Sequence, residues 1–164
     1  MNEHVTIARG PLAPLAVGAL AFAGAALVLL AFVEAWQVFA RYVLDSPPGW
    51  TEPVALLLLK CALMFGAAVG VRNETHFRIL LGVRAAGPRM RWVLNAIARA
   101  TGAALGLALA GWGARMMLEN WPVKAAGVPL SSGLYFVPFV VGGLLFVAFA
   151  LERLLFSFQT DEHY

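Results

Sequence analysis

The side chains able to do chemistry are few in this chain, and most stand apart from one another. The three histidines, His4, His76 and His163, lie outside the long apolar stretches. A bis-histidine haem anchor needs ligands that project between helices, so a redox-anchor role is disfavoured. Cys61 is the single cysteine, which excludes an intrachain disulfide, and it reads as a small buried apolar residue. Ser131, Ser132 and Ser157 have no histidine–carboxylate pairing nearby, and there is no acidic cluster or glycine-rich phosphate loop. The expectation is a non-enzyme, with no catalytic residue, cofactor or metal.

Two ionisable residues nevertheless sit in or beside apolar runs. Lys60 follows Thr51 by nine residues, roughly 13 Å at 1.5 Å per helical residue. Glu34 lies near the end of the first run, beside Gln37 at helical spacing. Charges at such depth are costly in lipid and point to function. Three arrangements are open for Lys60: an ion pair with Glu34, a contact with a partner protein, or a long stem that carries the ammonium out to the interface.

The elements that must position these residues are set by composition. Of 164 residues, 61% are hydrophobic and 13% charged. A soluble domain of this size cannot hide that much apolar surface, whereas lipid can cover it. Residues 12–33 and 128–151 carry no charge; 54–71 is broken by Lys60 alone, and between Arg91 and Arg115 stands only Arg99. About 20 helical residues cross a hydrocarbon core of roughly 30 Å. The chain therefore reads as one all-α membrane domain over residues 1–164, with four spans at about 12–38, 52–72, 92–117 and 130–155. Ala21-Phe22-Ala23 resembles a signal cleavage site, but the apolar run continues ten residues past it, which favours an uncleaved first span. A β-barrel would need shorter segments of alternating polarity.

Basic residues orient the spans. Arg9, Arg72, Arg78, Arg84, Arg89, Arg91 and Arg153 fall on one side, against Arg41, Arg115 and Lys124 on the other. Both termini and the central loop are thus expected in the cytoplasm. Trp36, Tyr42, Trp50, Trp112, Trp121 and Tyr135 then fall near the outer boundary. The net charge of +3 reflects topology and anionic lipid, with no call for nucleic acid. Small residues at four-residue spacing, Ala62, Gly66 and Gly70 in the second span and Gly102, Gly106 and Ala110 in the third, suit close helix contacts. Asp45-Ser46-Pro47-Pro48-Gly49 reads as a tight outer turn, with Thr51 placed to cap the second helix. The loop 73–88 mixes apolar residues with arginines, as a short interfacial helix would.

Several short motifs stand in order along this frame. Arg41-Tyr42-Val43-Leu44 follows the first span, and Trp50-Thr51-Glu52 opens the second. Phe65-Gly66-Ala67-Ala68 leads to Val71-Arg72; His76-Phe77-Arg78-Ile79 starts the central loop, and Tyr135-Phe136-Val137-Pro138 begins the fourth span. Together, over about residues 15–155, they resemble the small membrane subunit of tripartite ATP-independent periplasmic (TRAP) transporters, the DctQ-like proteins. The chain departs from that family's pattern at Pro53, Leu80 and Lys60.

The resemblance implies a bacterial inner-membrane scaffold bound to a large multi-span subunit that performs transport. A periplasmic binding protein would deliver an organic acid, and sodium entry would drive uptake. Arg41, Trp50, Glu52, Glu34 and Lys60 are the candidate partner-interface or anchoring residues; His76 and Arg78 are candidates for ordering the loop or contacting lipid. The rival reading is a small proton-coupled multidrug exporter acting as a homodimer, which needs a glutamate near midplane. Glu34, 22 residues after Leu12, lies too close to the outer edge for that.

Overall fold

The computed structural model describes residues 11–72 and 88–156. They form four α-helices: α1 (Ala13–Tyr42), α2 (Thr51–Arg72), α3 (Pro88–Glu119) and α4 (Val137–Phe156). A five-residue 3-10 helix, Ser132–Phe136, leads into α4. Among the described residues there is no strand, only an isolated bridge between Lys124 and Ser131. Three helical stretches are long and apolar enough to cross a membrane: Ala13–Tyr42, Thr51–Arg72 and Ser132–Arg153. The expected third span coincides with α3, whose 32 residues suffice in length. It is less apolar because Arg89, Arg91, Asn95, Arg99, Arg115 and Glu119 fall within it. The loop expected to hold an interfacial helix lies outside the described residues.

Packing runs opposite to that of a soluble protein. The buried face of α1 is Ala16, Ala19, Ala23 and Ala26, spaced three and four residues apart. Leu15, Val17, Phe22, Leu27, Val28, Leu29 and Phe32 point outward. Alanines let two backbones approach, and large apolar side chains outside are stable only against lipid or another protein. Phe22, though half-exposed, also touches Phe65 of α2, with ring centroids 4.8 Å apart.

Contacts order the helices in space as α1, α2, α4, α3, so α4 is central and packs against α2 and α3. Adjacent glycines allow this. A Cβ on Gly142 would stand 2.7 Å from Cβ of Met64 in α2, and one on Gly143 would stand 2.7 Å from the amide N of Ala110 in α3. Gly106 answers from α3, where a Cβ would come within 2.7 Å of Phe146 Cβ. The expected stripe on α3 is thus used, against α4. The α2 stripe faces α1, with Ala62 buried and Gly66 at ordinary contact distance from Ala23.

At the end where α2 begins, the two connecting turns meet. Asp45 adopts φ 51°, which ends the run of α1, and Gly127 adopts φ 80° against the backbone of Gly49. An added Cβ at Gly127 would collide with the Gly49 carbonyl. Thr51 is the first residue of α2 and not its cap: Val54 N–H donates to Trp50 O (3.2 Å), and Thr51 Oγ1 donates to Pro48 O (2.9 Å). Its hydroxyl serves the turn because the side chain is fully buried beneath it.

Candidate functional site

The opposite end of the molecule gathers the N-terminus of α1 and the C-termini of α2 and α4, and it holds a buried ionic junction. Arg72 closes α2, and its Nε donates to Glu152 Oε2 of α4 at 2.8 Å, with Nη2 to Oε1 at 3.2 Å. Both side chains are at most 5% exposed. Glu152 Oε1 also accepts the Leu12 backbone N–H at 2.8 Å, and Arg153 Nε donates to the Arg72 carbonyl at 2.8 Å. Phe149, one turn earlier on α4, lies under the Arg72 guanidinium, 5.8 Å from its ring centroid.

This junction follows from helix ends. The first N–H groups of α1 and the last C=O groups of α2 have no partners within their helices. An N-terminus also attracts negative charge and a C-terminus positive charge. The neighbouring residues Glu152 and Arg153 supply one of each, the carboxylate to α1 and the guanidinium to α2. Sequence reading assigned Arg72 and Arg153 to the flanking charge and left Glu152 unweighed. The available signal was its position: a carboxylate near the C-terminus of its own helix is opposed by that dipole and needs a cation elsewhere.

Lys60 lies between the two ends, on the side of α2 that faces α4. Its ammonium stands 5.1, 5.5 and 5.9 Å from the ring centroids of Tyr135, Phe136 and Phe139. It is half-buried, and among the described residues no carboxylate forms an ion pair with it. The ion pair with Glu34 is therefore absent. Glu34 sits exposed on α1, where no residue from Leu27 to Phe39 is buried, while Lys60 points away from α1 toward α4.

The remaining candidates are placed singly. Arg41, Trp50 and Glu52 are exposed near the Gly49–Gly127 contact and form no ion pair with one another. His76 and Arg78 lie outside the described residues. Cys61 is half-buried rather than fully buried, next to Lys60 on α2. Arg115 and Glu119 make an exposed pair at 2.7 Å, of a kind worth little to stability. Among the described residues no three His, Cys, Asp or Glu side chains converge as metal ligands would.

Residues 30–160 match the family model of the tripartite ATP-independent periplasmic transporters, DctQ component. The chain belongs to the DctQ family. Comparison with curated proteins finds no match. The DctQ match spans the C-terminal part of α1, all of α2, α3 and α4, and every residue of the ionic junction except Leu12. The family is thus that of one component of a multi-component transporter.

Proposed function

We propose that this chain is the small, non-catalytic membrane subunit of a sodium-driven, binding-protein-dependent carrier for an organic acid. It scaffolds the large multi-span subunit in the bacterial inner membrane, with four spans and both termini in the cytoplasm. The observation that carries this reading is the inverted packing. Alanines and glycines fill the helix contacts, Leu27, Val28, Phe32 and Trp36 face outward, and a closed ionic junction seals one end. Such a molecule offers a broad apolar surface to a partner and no polar path through itself. The basic residues around the junction mark the cytoplasmic end.

Arg41, Trp50 and Glu52 then lie at the periplasmic rim, where they contact the large subunit or the delivered binding protein. His76 and Arg78 order the inner loop against lipid head groups. The exporter reading has no support, because Glu34 is exposed on α1 eight residues from the end of that helix.

The test is affinity purification of the tagged protein from its native membrane in mild detergent, with mass spectrometry of what accompanies it. A large polytopic partner in near-equal amount is expected. A lone chain or homodimer would sink the proposal and make Glu34 the residue to test as a proton carrier.

A further inference from the structure

The two ends of α4 treat the cations of α2 differently. At the inner end Arg72 meets a full counter-charge, Glu152, and its guanidinium is held by two hydrogen bonds to it. Toward the outer end α4 and the 3-10 helix offer Lys60 only the faces of Tyr135, Phe136 and Phe139. Lys60 lies nine residues from Thr51 and twelve from Arg72, so roughly 13 Å and 18 Å from the two ends of α2. Rings attract a cation through their quadrupoles, yet they carry no net charge and accept no ordinary hydrogen bond from an ammonium. The rings therefore compensate a half-buried ammonium less fully than a carboxylate would. Three N–H donors and one positive charge are held in place at this depth without an anion from the described residues.

We infer that Lys60, held by Tyr135, Phe136 and Phe139, is a docking point for an acidic side chain on a membrane helix of the large transporter subunit. The inference rests on the subunit reading above and names the chemistry of that contact. The rings fix the ammonium in the seam between α2 and α4, within the apolar zone, where an approaching protein helix meets it directly. A lipid phosphate stays at the head-group level. The incoming carboxylate accepts the N–H groups that the rings leave unused, and its charge is compensated only at this position. Lys60 thereby sets the register of the partner helix along α2, as a single charged pair does in an otherwise apolar interface.

The test uses the tagged chain co-expressed with its large subunit in native membranes. Lys60→Met keeps the length and apolar stem of the side chain and removes the charge. Its expected effect is at least a tenfold drop in co-purified large subunit, with the melting temperature of the separate chain in detergent unchanged. Lys60→Arg, which keeps the charge among the rings, is expected to retain most of the partner. A photo-activatable lysine analogue at position 60 should cross-link to a large-subunit peptide that contains Asp or Glu. Undiminished co-purification of Lys60→Met, or adducts to phospholipid alone, would overturn the inference while leaving the subunit reading intact. Absence of the large subunit from the wild-type preparation would remove both.

Discussion

At the residue scale, the ionic junction decides more than its four side chains suggest. Arg72 and Glu152 are both buried, and removing either one takes the paired counter-charge from the other. Breaking one side of such a pair costs about 3–5 kcal/mol. Arg72→Met and Glu152→Met should each lower the detergent melting temperature sharply, and the double variant should be more stable than either. That ordering, read from thermal melts of the three proteins, separates a true pair from two independent contacts. Gly127 makes a narrower prediction. Its φ of 80° and its contact with Gly49 leave no room for a side chain, so Gly127→Ala should cost about 1–3 kcal/mol in the same melts. The lysine among the rings is the residue whose loss should leave the isolated chain intact.

At the element scale, α4 organises the fold. Its Gly142-Gly143 pair lets it lie close to α2 and α3 at once, and its last turn ties α1 to α2 through Glu152 and Arg153. Gly106→Leu should therefore separate α3 from α4, since even a Cβ there falls 2.7 Å from Phe146 Cβ and 2.8 Å from Gly143 O. Overpacking of this kind costs about 1–3 kcal/mol, more where backbone must move. The expected reading is loss of thermal stability together with faster proteolysis in the 120–131 turn. Arg72 precedes Glu152 by eighty residues, so the end of α2 is synthesised well before the helix that buries its charge.

At the scale of the whole molecule, the described helices present broad apolar surfaces, and a buried ionic junction ties them together at one end. Orientation can be checked in a Cys61→Ser background. Ser46→Cys should react with a membrane-impermeant maleimide from the periplasmic side, and Ser157→Cys only after the inner membrane is permeabilised. The opposite pattern would invert the topology. Partner binding belongs to this scale too, because α1 leaves every residue from Leu27 to Phe39 at least partly exposed in the separate chain.

The sequence by itself determined the helical membrane class, the family and the presence of four long helices among the described residues, although the last α-helix begins at Val137 and not near 130, because the 3-10 helix Ser132–Phe136 precedes it. Hydropathy and charge spacing depend on length and transfer free energy, which are local quantities. The motifs from Arg41 to Arg78 carried the family because they are short and ordered along one stretch of chain. What only the tertiary structure decided is which residues meet. Apolar periodicity normally tells the inside of a helix from its outside, but in lipid both sides are apolar and the signal fades. The alanine seam of α1, the central place of α4, the pairing of Arg72 with Glu152 and the turn of Lys60 toward Tyr135 and away from Glu34 all depend on contacts between distant segments. Each is fixed by how closely small residues let backbones approach, and by where a helix end leaves a charge or a hydrogen bond to be met.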